Sequence, residues 1–436
     1  MSLNIKKIII IAMSVLACLA LGAGSYLYFK DTTPPLITLT PDSGPVGKAA
    51  IFTARAEDPS GIRSMSVILI ENGKRTTLAS APADKSLQSE LTFDLAKTGF
   101  KNGPFELEIT AVDASYHRMG KGNSNSKTAS FMLDSKKPRI AVESMQHNLN
   151  RGGSGAIAYT VNESVTSSGV RIGNRFFPGY ELPSGDFACI FAFPYDIEVA
   201  DFQPKLEATD LAGNTRSRTF AFHVNNRTFR HDTINLPDSF LQAKMPQYED
   251  YYPDEPDLLS VYLKVNGEMR IKDRAAILSL GQTSSSEASW KGSFLRLPNA
   301  ANRARFADSR TYRYNGKDVD YQTHLGIDLA SLKNAPIPAA NAGRIVRTGF
   351  HGIYGENVII DHGLGLMSLY SHLSQIDVED GDIVTKGQII GRTGATGLAG
   401  GDHLHFGVYV SGVAVNPVEW WDASWIRNNI ASRVGQ

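Results

Sequence analysis

From about residue 33 to 225 the chain alternates apolar and polar positions in short runs broken by Gly, Asn, Asp, Ser and Pro. That period-two pattern predicts strands with one buried face, and hence β-sandwiches rather than helices. Residues 8–29, "IIIIAMSVLACLALGAGSYLYF", show no such alternation and hold no charged residue. At ~1.5 Å per helical residue they reach across a ~30 Å hydrocarbon core, which predicts a membrane-spanning helix. Between 226 and 300 the spacing changes to three-and-four in "DSFLQAKM" and "EPDLLSVYLKVNGEMRIKDRAAILSL". This predicts a helical connector, with Asp238 and Asp254 as N-cap or first-turn acids and "GQTSSSEAS" as the loop that ends it. From about residue 320, runs such as "GRIVRTGF", "NVIIDHG", "LMSLYSHL" and "HLHFGVYV" are short, β-branched and separated by glycine turns. They predict an all-β domain, closed by "NPVEWWDASWIRNNI", whose tryptophans cap the core with a short helix.

An internal repeat sharpens the first part. "PLITL" from Pro35 matches "PRIAV" from Pro138, and "ITAVDAS" from Ile109 matches "LEATDLAG" from Leu206, both about 100 residues apart. Each unit is one immunoglobulin-like domain long, with Asp113 and Asp210 in the turn of a late hairpin. The predicted fold class is therefore mainly β: two tandem immunoglobulin-like sandwiches, a helical connector and a C-terminal all-β domain. The boundaries read 1–30 for the anchor, 31–135 and 136–226 for the sandwiches, 227–300 for the connector and 301–436 for the last domain. A fold of this kind does not identify a ligand, so the sandwiches read as stalks.

Lys6 and Lys7 precede the apolar segment, while Lys30 and Asp31 cancel beyond it, which keeps the short N-terminus in the cytoplasm and exports the rest. The predicted location is the cytoplasmic membrane, crossed once, with the bulk in the periplasm or outside the cell. The rivals are a cleaved signal peptide and a lipoprotein signal ending at Cys18. Apolar residues continue for eleven positions past Cys18, against the shorter h-region and polar flank that cleavage expects. Lysine plus arginine (44) equals aspartate plus glutamate (44), so no overall positive field points to nucleic acid. Cys189 is the only other cysteine, so the exported part forms no internal disulfide.

Chemistry concentrates near the end. Six of the ten histidines are His324, His351, His362, His372, His403 and His405. On a strand His403 and His405 lie on one face, ~6.6 Å apart, which suits a metal. In "HLGIDLA", His324 and Asp328 also share a face, but full extension separates their α-carbons by ~13 Å, so a bend is required and Gly326 can supply it. Two histidines and one carboxylate are a common catalytic zinc set that leaves a fourth position for water. No "HExxH" glutamate is present; the unused histidine of the HxH pair and His372 in "LYSHL" are the groups left to move protons or stabilise an oxyanion. Spacing alone does not say which of His403 and His405 binds metal. His351, His362 and Tyr370 read as turn or core residues.

At these residues the sequence resembles the lysostaphin/LytM-type zinc metallopeptidases, whose signature pairs HxxxD with a later HxH. The likeness runs through "THLGIDLA", "APIPAANAGRIV", "YGENVIIDHGLGLMSLYSHL", "VEDGDIVTKGQIIGRTGATGLAGGDHLHFGV" and "VNPVEW", about residues 320 to 421. It implies a duplicated-hybrid-motif peptidase fold, a Zn2+ cofactor held by His324, Asp328 and His405, and His372 and His403 as catalytic histidines. It further implies an endopeptidase acting on the peptide stems of bacterial peptidoglycan. The partners expected are thus peptidoglycan and the membrane, and no nucleic acid. Members that have lost ligands act as activators of other wall hydrolases, so a non-enzymatic scaffold is the rival function; here all five residues are present. The connector and "NAANRARFADSRTYRYNGKDV", directly before His324, are candidates to lie over the groove.

Overall fold

The computed structural model describes residues 5–81, 85–96, 98–99 and 101–436. The chain is mainly β and divides into two compact units, residues 1–137 with 209–214, and residues 138–208 with 215–436.

The first unit begins with α1 (Ile5–Phe29), none of whose residues is buried. It is the one described helix long and apolar enough to cross a membrane. Behind it a three-stranded sheet runs Leu36–Thr40, Ile51–Glu57, Gln88–Asp94, and a five-stranded sheet has Gly103–Asp113 at its centre. Alternation dictates how they meet: Ile51–Glu57 buries Phe52, Ala54 and Ala56 and exposes residues between them. Phe52 stacks on Phe93 of its own sheet and meets Phe131 of the other edge-on at 5.3 Å, so the two sheets share one core. The aspartates of the repeat do sit in turns. Asp113 accepts hydrogen bonds from the Ser115 and Asn123 amides, and Asp210 from those of Ala212 and Asn214.

Two four-stranded sheets are built from strands between Ile140 and Arg218. Helices occupy residues 238–251 and 258–281, where the spacing is three-and-four; a strand, His231–Asn235, precedes them, and residues 282–300 hold neither helix nor strand. α2 (Asp238–Lys244) has Asp238 in its first turn. α3 (Leu258–Lys264) is capped by Asp257, whose Oδ1 accepts from the Ser260 amide at 2.8 Å; the acid nearer the helix takes the role read for Asp254. One π-helical turn, Val265–Met269, joins α3 to α4 (Arg270–Gly281).

The C-terminal sheet is built from β1 (Ala301–Ala304), then β4 (Ile327–Ala330), which follows the hairpin of β2 (Ser309–Tyr314) and β3 (Lys317–Thr323). It continues with β5 (Gly343–Phe350), β6 (Glu356–Gly363), β7 (Leu366–Ser371), β8 (Ile383–Val384) and β9 (Leu404–Val410). The order is β1-β4-β9-β7-β6-β5-β8, with Val413–Val415 added to β9. β2 pairs instead with His231–Asn235 on one side and with β3 on the other, so the stretch before His324 is hairpin and sheet edge. All seven residues of β9 are buried, which explains its near-continuous apolar run: both faces are covered. Two short helices, Pro417–Trp421 and Ala423–Asn429, close the domain, and Trp420 packs edge-on against Trp290.

Candidate metal centre

Register brings the first two groups together. β4 and β9 are antiparallel with Asp328 opposite His405, so their side chains leave the same face of the sheet. His324 is not on that strand. β3 ends at Thr323 and β4 starts at Ile327, so the required bend is a break in the strand at residues 324–326. His324 is fixed there by its own backbone, donating to Asp308 O and accepting from the Ala307 amide. Its Nδ1 lies 2.9 Å from Arg305 O, which places the ring proton on Nδ1 and leaves the Nε2 lone pair free.

Three atoms then converge. His324 Nε2, Asp328 Oδ1 and His405 Nδ1 stand 2.9 Å from one another. All three residues are largely enclosed by protein. Two imidazole lone pairs and a carboxylate oxygen aimed at one point repel unless something positive lies between them, and the set is one that suits a divalent ion of the zinc type. The residues therefore fit the metal. One feature departs from the usual arrangement: His405 Nε2, the ring nitrogen turned away, is buried with no partner among the described residues.

Charge favours the same states. Burial opposes ionisation of Asp328, yet the contacts it makes, with His324 first and then His403 and His405, hold its carboxyl well below the usual range. Burial pushes the His405 imidazole down to about 4, so it is neutral, as a ligand must be. Arg310 on β2 donates to Asp328 Oδ2 at 3.2 Å, fixing which oxygen faces the histidines.

His372 and His403 flank this cluster, their ring centroids 4.9 Å apart. His372 follows β7 with φ at +67°, a left-handed conformation that is uncommon outside glycine. It is held by its amide on Tyr354 O and by Nδ1, 2.9 Å from Thr396 O. Its Nε2 is left as an acceptor, and burial followed by repulsion from His403 and His405 holds the ring pKa well below its ordinary value. His403 places Nδ1 2.8 Å from Gly401 O and Nε2 3.6 Å from Asp328 Oδ1. Burial opposes its protonation, but the nearby Asp328 carboxylate outweighs it and raises the pKa.

All five predicted residues line one cavity of about 640 Å³. The residues read as packing are elsewhere in role: His362 is fully buried between Ala342 O and Ser368 Oγ, and the Tyr370 hydroxyl accepts from the Ala340 amide. His351 contacts Asp273 of α4. The far wall of the cavity comes from α2, Tyr262 and Arg270, so part of the connector does border the groove, whereas the hairpin contributes Arg310 and Tyr312. Sequence reasoning missed these wall residues, because cationic and aromatic side chains on helices carry no spacing signal of their own.

Residues 322–417 match the family model of Peptidase family M23. The chain carries an M23 peptidase domain. Two relatives are 40% identical to it: the DD-carboxypeptidase/endopeptidase Mpg of Neisseria meningitidis serogroup B over 98 residues (22% of this chain, 23% of that protein) and the peptidoglycan DD-endopeptidase ShyA of Vibrio cholerae over 96 residues (22% of each). The matched segment thus spans less than a quarter of either relative. Among solved structures, the catalytic domain of lysostaphin from Staphylococcus simulans is 29% identical, covering 30% of this chain and 98% of that one, with a TM-score of 0.26. The M23 match contains His324, Asp328, His372, His403 and His405.

Proposed function

We propose that this chain is a membrane-anchored, zinc-dependent endopeptidase that hydrolyses peptide cross-links of bacterial peptidoglycan. The observation that carries the reading is the mutual 2.9 Å approach of His324 Nε2, Asp328 Oδ1 and His405 Nδ1 beside the His372–His403 pair. The names of the M23 relatives support the substrate, and α1 supports the anchor.

His324, Asp328 and His405 would hold the ion. Zinc with three protein ligands and an open position supplies Lewis acidity, which acidifies water and polarises a carbonyl. His372 is the acceptor for the proton that the attacking water loses, because its Nδ1–H is committed to Thr396 O and its Nε2 is free. His403, whose Nδ1–H is committed to Gly401 O, is the donor when protonated on Nε2. It stabilises the carbonyl oxygen as the carbon–oxygen bond forms. The proton taken by His372 then passes to the amine as the carbon–nitrogen bond breaks. Arg310 acts through Asp328 and is a positioning residue.

The test is mass spectrometry of cross-linked muropeptides incubated with the zinc-loaded chain. New amine and carboxyl termini at the cross-link, lost on chelation and restored by Zn2+, are expected. Unchanged muropeptides from a protein that holds stoichiometric zinc would overturn the proposal.

A further inference from the structure

The lining of the cavity is chemically one-sided. Among the described residues lining it, Lys244, Arg270 and Arg310 are cations, and the single acid, Asp328, is already engaged by the histidines. Arg270 opens α4 immediately after the π-helical turn, an insertion that often marks a functional position. Its guanidinium is held from one side only: Nε donates to Asn266 O at 3.0 Å and Nη2 to Asn266 Oδ1. Asn266 is fully buried and is itself fixed by donating to Asp320 Oδ2 at 2.6 Å. A chain of bonds from Asp320 through Asn266 therefore orients Arg270, and Nη1 has no hydrogen-bond partner among the described residues.

Two further polar atoms of residues lining the cavity are unpaired among the described residues. Tyr262 is 1% exposed and lines the same cavity, yet its hydroxyl has no partner among the described residues. Arg310 Nε is buried without a partner as well. Tyr262, Arg270 and Arg310 all line the same cavity, so the two guanidiniums and the hydroxyl border one space. Buried polar groups of a folded chain are normally satisfied, and a cluster of donors left open beside a reaction centre is what a negatively charged ligand group completes.

We propose that Arg270, with the Tyr262 hydroxyl and Arg310, forms a carboxylate subsite beside the metal centre, and that the peptide substrate is anchored there through a free carboxylate. This rests on the peptidase reading and names the substrate class: stem peptides whose side-chain or terminal carboxyls are free rather than amidated. Arg270 is the specificity residue, since the other arginine is tied to Asp328.

Binding separates this proposal from the reaction itself. The full chain in neutral detergent, stripped of metal by chelation and then exchanged into chelator-free buffer, is titrated calorimetrically with a stem peptide of alanine, γ-glutamate, diaminopimelate and two alanines. The comparison is the same peptide with its glutamyl and diaminopimelyl carboxyls and its C-terminus amidated. The unmodified chain is expected to prefer the free carboxylates by roughly tenfold, as a charge-assisted pair predicts. Arg270→Gln should abolish that preference and Arg270→Lys should keep part of it. Equal affinities in the unmodified chain, a result that needs no variant to fold, would overturn the subsite, as would an undiminished preference in Arg270→Gln. Failure to cleave after zinc is restored, with the preference intact, would instead remove the peptidase reading and leave the carboxylate site standing.

Discussion

A β-carbon built on Gly326 would lie 2.6 Å from Nε2 and Cε1 of His405. No such contact is tolerated, so the ring that presents Nδ1 to the cluster occupies the space a side chain at 326 would fill. The glycine of "HLGID" serves close approach as well as the break between β3 and β4. Gly326→Ala keeps every ligand but pushes the imidazole off its line. We expect zinc affinity to fall about 10- to 100-fold, the range seen when the surroundings of a metal ligand are disturbed. Competition with a zinc chelator dye measures it, and unchanged affinity would show that His405 does not need this geometry.

Ligands and proton carriers should separate in their response to mutation. His324→Ala removes one of three converging atoms, and the metal and cleavage should be lost together. His372→Ala and His403→Ala leave the three atoms in place, so zinc content measured by elemental analysis should stay near one per chain while turnover falls, by about 100-fold or more for a proton-transfer group. Loss of zinc in either of the latter variants would move that histidine into the ligand set.

The candidate site was largely legible in the sequence because its five residues sit in two short motifs and one strand end, and strand periodicity puts His403 and His405 side by side. What spacing could not decide was which of the pair turns toward Asp328. That depends on the β4–β9 register, which pairs Asp328 with His405, a long-range property no local pattern encodes. The same limit explains Arg270 and Tyr262. Their helix was predicted from its apolar spacing, but its contact with the groove is tertiary. The break at 324–326 was inferred from reach alone, since a continuous strand would hold the two ligands too far apart.

His362 tests the opposite kind of residue, a buried histidine with a structural task. Burial lowers its pKa to about 4, and its ring bridges Ala342 O and Ser368 Oγ. His362→Ala leaves a cavity and two unpaired groups, a loss of about 2–4 kcal/mol. Zinc stoichiometry at low temperature should be unaffected, because none of the three converging atoms contacts this ring. A denaturation midpoint equal to that of the unmodified chain would contradict the packing described.

Glu419, in the first turn of the helix Pro417–Trp421, lies far from the metal in the chain's chemistry but carries a pH dependence of its own. Burial pushes its carboxyl up from 4.5 to about 7, against the hydrogen bonds it accepts from Asn150 Nδ2 at 2.7 Å and the Ser154 amide at 2.9 Å. Gly153 leaves it the room, since a β-carbon there would meet both carboxylate oxygens within 2.5 Å. In the unfolded chain the group ionises near 4.5, so between there and about 7 the folded chain keeps a proton that the unfolded chain has lost. Stability therefore declines as pH rises through that window, by up to about 3 kcal/mol from this group. Glu419→Gln retains an acceptor and removes the charge. It should match the unmodified chain at pH 4.5 and be the more stable of the two at pH 8, as read from urea midpoints at each pH. A stability difference that does not change between the two pH values would mean that the carboxyl ionises in the folded chain as it does in water.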